Sequence, residues 1–302
     1  MKQIRLALDW TPNINHIGFL IALEQGYYED AGLDVTLLNP AMDAYAKTPA
    51  KKLETGEADL AIGPMESVIS LNTKKNPFPA QAIYAILQED ISSIAVLASS
   101  GIVRPAQLDG KLYASYKARY EDEIVRQLVR NDGGSGDLAI CYPDKLGIWN
   151  TLLQGKSDAT WIFDNWEGVE ASTQSIPLRT FRMKDFGIPY GYSPVIFGNR
   201  EKMAAEKEIY SLFIKESKRG FLFAQEHIEE SAAMLKKALS PDDQVRIDLI
   251  QSLDSFGFYF GDSGTMGQMD AHRMEAFFQW LVKHKLEQPD ILQLELYTET
   301  FI

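Results

Sequence analysis

Cysteine and histidine are scarce: 302 residues hold one cysteine and four histidines. Cys141 alone forms no intramolecular disulfide, so cysteine usage says nothing of compartment, and a buried, inert thiol is expected. A metal site wants His, Cys or carboxylates at helical or loop spacing, and no such cluster is visible. His227, His272 and His284 fall in charge-rich helical stretches and read as solvated. Positive charge is short as well. With 30 Lys and Arg against 42 Asp and Glu, the net charge is −12, which argues against a nucleic-acid partner and against docking on anionic lipid. No apolar run approaches the ~20 residues that span a bilayer, so no membrane insertion is expected. Lys2 leads straight into strand-like alternation with no signal peptide. The expectation is a cytoplasmic protein, or a mature chain given a new start methionine and working in the periplasm or lipid-anchored outside the cell. Walker loops, GxGxxG, GxSxG, HExxH and CxxC are all missing. No catalytic residue, metal or cofactor is therefore expected.

What is present looks like an ordinary globular protein, 45% hydrophobic and 24% charged, long enough for one large or two medium domains. Strand and helix patterns alternate through the first two thirds. Strands are expected at 3–9, 33–38, 58–62, 80–87, 92–98, 112–115, 138–142 and 158–163. Helices are expected at 17–31, 45–55, 65–73, 120–131 and 146–154, with Gly32, Gly56 and Gly155 as stops. Beyond about residue 200 helices dominate, and the stripes Phe221/Phe223 and Phe277/Phe278/Trp280/Leu281 read as core. The alternation predicts an α/β fold with mostly parallel sheets and helices on both faces. The glycine-rich loop 131–136 follows a helix rather than opening one, so it reads as a connector and not a phosphate cradle.

One internal echo stands out. Leu53-x-x-Gly56-x-x-Asp59 leads through a short strand to Gly63-Pro64-Met65-Glu66. About a hundred residues later Leu152-x-x-Gly155-x-x-Asp158 leads through another to Asp164-Asn165-Trp166-Glu167. Either helix-glycine-strand units are recurring by coincidence, or two similar lobes each present a polar loop at a strand's carboxyl end, where open α/β sheets bind ligands. Three clusters lie at such ends. Asp9, Trp10, Asn13, Asn15 and His16 follow the first strand, Glu66 follows the third, and Trp161, Asp164, Trp166 and Glu170 surround the last. Tyr116 belongs to the same half as these, and Tyr190 and Tyr192 fall where the chain crosses back. Rings that stack, beside carboxylates and amides that pair with edge amines, suit a flat polar heterocycle. A core Trp10 and a purely local Asp9–His16 cap are the plain alternatives.

The stretch LDWTPNINHIGFLIALEQGYYEDAGLDV resembles the opening LDW-x-PN-x-NH-x-G of the ThiY-like family of ABC-transporter substrate-binding proteins. WIFDNWEGVEA resembles that family's WIF-E-GW-D-G-I-E-A. Asp164 replaces the usual Glu, and Lys117-Ala118-Arg119 replaces a Gly-Ser-rich turn after Tyr116. The resemblance implies a two-lobed type II periplasmic-binding-protein fold. Lobe one would be 1–89 plus 186–302, lobe two 90–185, with a ligand cleft between them. It further implies capture of a small pyrimidine-type thiamin precursor, formylaminopyrimidine-like, with an ABC transporter permease as partner. Asp9, Trp10, Asn13, Asn15 and His16 match the first motif, and Trp161, Trp166 and Glu170 the second. The same superfamily contains hydroxymethylpyrimidine phosphate synthases, which carry a cysteine cluster and a lysine after the third strand. Gly63-Pro64-Met65-Glu66-Ser67 and a lone cysteine do not supply that chemistry. A carrier of another small heterocycle is a further alternative, and so is a carrier of a sulfonate, the latter disfavoured by the acidic strand ends.

Overall fold

A computed structural model describes residues 1–302 and places ten strands in two five-stranded sheets. The first holds β1 (Lys2–Ala7), β2 (Leu33–Leu38), β3 (Leu60–Gly63), β4 (Ala80–Ala85) and β10 (Val195–Asn199), in the order β2-β1-β3-β10-β4. The second holds β5 (Ser92–Leu97), β6 (Leu112–Ala114), β7 (Ala139–Cys141), β8 (Ala159–Phe163) and β9 (Leu178–Phe181), in the order β7-β6-β8-β5-β9. Four strands of each sheet run parallel. The fifth, β10 in one and β5 in the other, pairs antiparallel with both neighbours. Each reversed strand is the first one the chain forms after crossing over from the other sheet.

The internal echo is a repeat in hydrogen bonding as well as in sequence. Asp59, just before β3, accepts the Arg5 backbone N–H at 3.0 Å and returns its own N–H to the Arg5 carbonyl. Asp158, just before β8, does the same with Leu112 at 2.8 Å. One carboxylate thus locks the entry of each central strand beside its neighbour.

Helices cover both faces. In the first half they are α1 (Ile17–Glu24), α2 (Tyr27–Asp30), α3 (Pro49–Glu54) and α4 (Met65–Thr73). The second half contributes α5 (Glu121–Asn131), α6 (Ile148–Leu153) and α7 (Val169–Thr173). The tail supplies α8 (Arg200–Ala205), α9 (Lys207–Glu226), α10 (Ile228–Ala238), α11 (Asp243–Arg246), α12 (Leu249–Phe256) and α13 (Ala271–Lys283). Strand periodicity sorts the core. Ile4, Leu6, Leu60 and Ile62 pack with Phe19, Phe213 and Phe221 of α1 and α9, whereas Ala7 and Ala61 face Leu53, Met65 and Phe277 of α3, α4 and α13. Helices α1 and α9 touch backbone to backbone, because a Cβ on Gly220 would lie 2.0 Å from the Gly18 carbonyl oxygen.

Several sequence expectations need correction. The helix at 17–31 is two helices, broken where Gly26 takes φ 72°. The one at 45–55 starts only at Pro49, capped by the Thr48 side chain, which accepts the Lys51 N–H. Strands β9 and β10 had no sequence expectation. Cys141 is half-buried rather than buried. The 131–136 loop is a connector whose Ser135 N–H donates to Asp109.

Candidate functional site

A cavity of about 550 Å3 opens at the carboxyl ends of β1, β3, β6 and β8 and takes walls from both halves of the chain. Three aromatic pairs furnish it. Trp10 lies 5.7 Å from Tyr116, ring centroid to ring centroid, and 6.1 Å from Tyr45. Trp161 lies 5.2 Å from Tyr190. Trp166, buried, sits on the same wall.

The polar groups come from strand ends. After β1, Asn13 accepts the Asn15 N–H at 2.9 Å and closes the turn. His16 is wholly buried: its Nδ1 accepts the Asn13 N–H at 3.3 Å, so Nε2 carries the proton and donates to Asp9 at 2.8 Å. The polar knot is therefore a cap that also aims Asp9 at the cavity. Asn15 accepts a 2.7 Å hydrogen bond from Asn165, a buried amide contact between the two halves. Ser252 of α12 donates to the Asn165 carbonyl at 2.6 Å, fixing that turn from behind.

Five carboxylates line the cavity, and three of them, Glu66, Glu121 and Glu167, are raised by burial. Glu66, in the first turn of α4, is 3% exposed and accepts the Tyr190 hydroxyl at 2.7 Å. Its other oxygen, Oε2, has no partner. Burial raises this carboxyl to about 7. Glu167 is likewise raised to about 7 by burial, while its Oε2 accepts the Phe163 N–H at 3.0 Å. Glu121 opens α5 and is also raised by burial; it accepts the Tyr113 hydroxyl and the Tyr116 and Ala118 amides. Lys145 stands 4.9 Å over the Tyr45 ring, and burial lowers its pKa.

Of the residues singled out from sequence, Asp9, Trp10, Asn13, Asn15, Glu66, Tyr116, Trp161, Trp166 and Tyr190 line the cavity. Four do not. His16 sits behind Asp9. Asp164 is turned away, accepting Ser93 Oγ at 2.8 Å and Arg182 at 3.0 Å. Glu170, in α7, pairs with Gln174 at 3.0 Å. Tyr192 accepts the Asp270 N–H through its hydroxyl, under the Arg273 guanidinium 4.0 Å from its ring. It shapes the site from outside, since its carbonyl accepts the Met65 N–H at the start of α4. Tyr45, Lys145 and Glu121 were not singled out, and Glu167 was noted only as part of the loop Asp164–Glu167. Tyr45 and Lys117, both on the cavity wall, hold positive φ of 59° and 61° without being glycine. Such strain gathers at functional sites, yet it leaves no trace in a linear sequence.

Comparison with known proteins bears on this geometry. The family model described as NMT1/THI5 like matches residues 13–231. A formylaminopyrimidine-binding protein of Halalkalibacterium halodurans is 22% identical over 301 residues, 97% of this chain and 89% of that relative. A 4-amino-5-hydroxymethyl-2-methylpyrimidine phosphate synthase of Saccharomyces cerevisiae is 24% identical over 158 residues, 52% of this chain and 45% of the relative. The alkanesulfonate-binding protein SsuA of Xanthomonas axonopodis, bound to MOPS, matches with a TM-score of 0.70 at 14% identity. The match covers 99% of this chain and 98% of that one. These likenesses give the architecture, an α/β two-lobed fold of the type II periplasmic-binding-protein kind.

Proposed function

The chain belongs to the NMT1/THI5-like family, and from that premise we propose that it is a solute-binding protein that captures a small aminopyrimidine of the formylaminopyrimidine kind. Its lobes, residues 1–89 with 186–302 and residues 90–185, close over the ligand and present it to an ABC importer. The observation that carries this reading is the composition of the cavity. Trp10, Tyr116, Trp161, Trp166 and Tyr190 supply ring faces, and the free Glu66 Oε2 supplies an acceptor at depth. A heterocycle with exocyclic amines satisfies both at once. The near full-length similarity to a formylaminopyrimidine-binding protein supports the same ligand class. Closure needs only a ligand that prefers the closed form.

The synthase reading is weaker. Gly63-Pro64-Met65-Glu66-Ser67 ends β3 where those enzymes carry a lysine, and His16 has both ring nitrogens engaged at a fully buried position. A thermal-shift panel of formylaminopyrimidine, 4-amino-5-hydroxymethyl-2-methylpyrimidine, an alkanesulfonate and nitrate tests the proposal. Stabilisation by the pyrimidines alone is expected. Stabilisation by the anions alone would overturn it.

A further inference from the structure

Glu66, Glu121 and Glu167 share one cavity, and none is hydrogen-bonded to a lysine or arginine; their partners are hydroxyls and backbone amides. The basic residues around that cavity are engaged with other groups. Lys51 and Lys74 are bound to Glu54, and Arg119 to Glu287. Lys145 lies on the Tyr45 ring and Lys117 on the Tyr142 ring. The amides of the loop after β6, which would otherwise cradle an anion at the start of α5, are spent on Glu121. Glu66 and Glu167 therefore have no lysine or arginine bound to them, Lys145 reaching only Glu121 and that through space, and the backbone donors beside these carboxylates are already used. Uncompensated buried charge is costly, and a cationic guest relieves it.

We propose that the cleft holds its heterocycle as a cation, with one proton shared between a basic ring nitrogen and the Glu66 carboxylate, and that it rejects anions. This rests on the binding-protein reading and specifies the charge state of its ligand. Oε1 of Glu66 is occupied by the Tyr190 hydroxyl, so Oε2, buried and without a partner, receives the ring N–H. The groups facing Glu66 strengthen the demand for positive charge. They are Tyr190 from the segment before β10, Asp90 from the β4–β5 turn, and Tyr120 and Glu121 at the start of α5.

The proton balance gives the test. When Glu66 already carries a proton, binding a neutral base moves that proton onto the ring–carboxylate contact and takes none from solvent. Above about pH 7, where Glu66 is ionised and an aminopyrimidine is neutral, the complex must draw one proton from solvent. Affinity then falls about tenfold per pH unit. Isothermal titration of the full chain with 4-amino-5-hydroxymethyl-2-methylpyrimidine, in buffers of low and high ionisation enthalpy, reads this uptake directly. Uptake near zero at about pH 6 and near one proton at about pH 8.5 is expected. Glu66→Gln should flatten the pH dependence, and the phosphate ester of the same pyrimidine should bind more weakly. Binding at about pH 8.5 without proton uptake overturns the proposal, and the wild-type titration decides this even if the variant fails to fold. Uptake that persists in Glu66→Gln overturns the assignment to Glu66. No binding of the pyrimidine at either pH overturns the ligand reading itself, and this inference with it.

Discussion

Replacing Glu66 by glutamine should make the protein less stable in acid below about pH 4.5 and more stable from neutrality into mild alkali. The native carboxyl is raised from 4.5 to about 7 by burial, so the folded state holds its proton more tightly than the unfolded state does. The stabilisation from that proton is complete below about pH 4.5 and is lost as pH rises through about 7. The interval corresponds to roughly 3 kcal/mol. Glutamine never ionises, so it escapes this loss. It does bury one extra N–H donor beside the site where Oε2 already lacks a partner, at a cost of about 1 kcal/mol. The variant should therefore lose about 1 kcal/mol at low pH and gain about 1–2 kcal/mol at about pH 8, a change of sign rather than a uniform offset. Urea unfolding of both proteins at the two pH values measures it. Glu121, Glu167 and Asp90, also raised by burial, titrate in both proteins; Asp90 and Glu121 face Glu66 and, losing its charge, titrate lower in the variant, which adds to its gain in alkali. Parallel stability profiles for wild type and variant would refute the claim that Glu66 is driven toward neutrality by its surroundings.

Other substitutions report on packing and closure. Gly220→Ala puts a Cβ 2.0 Å from the Gly18 carbonyl oxygen and should cost about 3 kcal/mol in thermal unfolding. Gly147→Ala, with open space around its Cβ, should stay within about 0.5 kcal/mol of wild type. Asn165→Ala removes the buried 2.7 Å bond to Asn15, worth about 1–2 kcal/mol to the closed form. It should weaken ligand binding about 5- to 30-fold and enlarge the ligand-free particle in small-angle scattering. Trp10→Ala should lower affinity for an aminopyrimidine by about 5-fold or more through lost ring contact, read by titration calorimetry, with little change in unfolding midpoint.

The alternation of strand and helix was legible because strand faces are sorted by period two. β2 and α4 fall at 33–38 and 65–73 as expected from pattern alone. The repeat around Asp59 and Asp158 was also visible in sequence, since a strand entry that must be locked needs an acid at a fixed offset from the helix stop. Strand β9 escaped notice because LRTF is a short edge segment with two exposed residues. The helix break at Gly26 looked like an ordinary glycine until its left-handed φ appeared. At the site, residues directly beyond strand ends were predictable, because the end of a parallel strand points its next side chains into the crevice. Asp164 and Glu170 were misplaced because the turn after β8 winds as a wide helical turn over Asp164–Gly168. That turn aims Trp166 and Glu167 at the cavity and turns Asp164 toward Arg182. Tyr45 was expected to open a helix but lies before it at positive φ, and Lys145 lies in a short turn after β7; both reach the cavity from there.

The claim at the centre is that this cleft binds an aminopyrimidine and not an anion. Calorimetric titration of the purified chain with formylaminopyrimidine, set against an alkanesulfonate under the same conditions, tests it most directly. One saturable site for the pyrimidine with no heat from the sulfonate is the predicted result; a saturable sulfonate site with no response to the pyrimidine would contradict it.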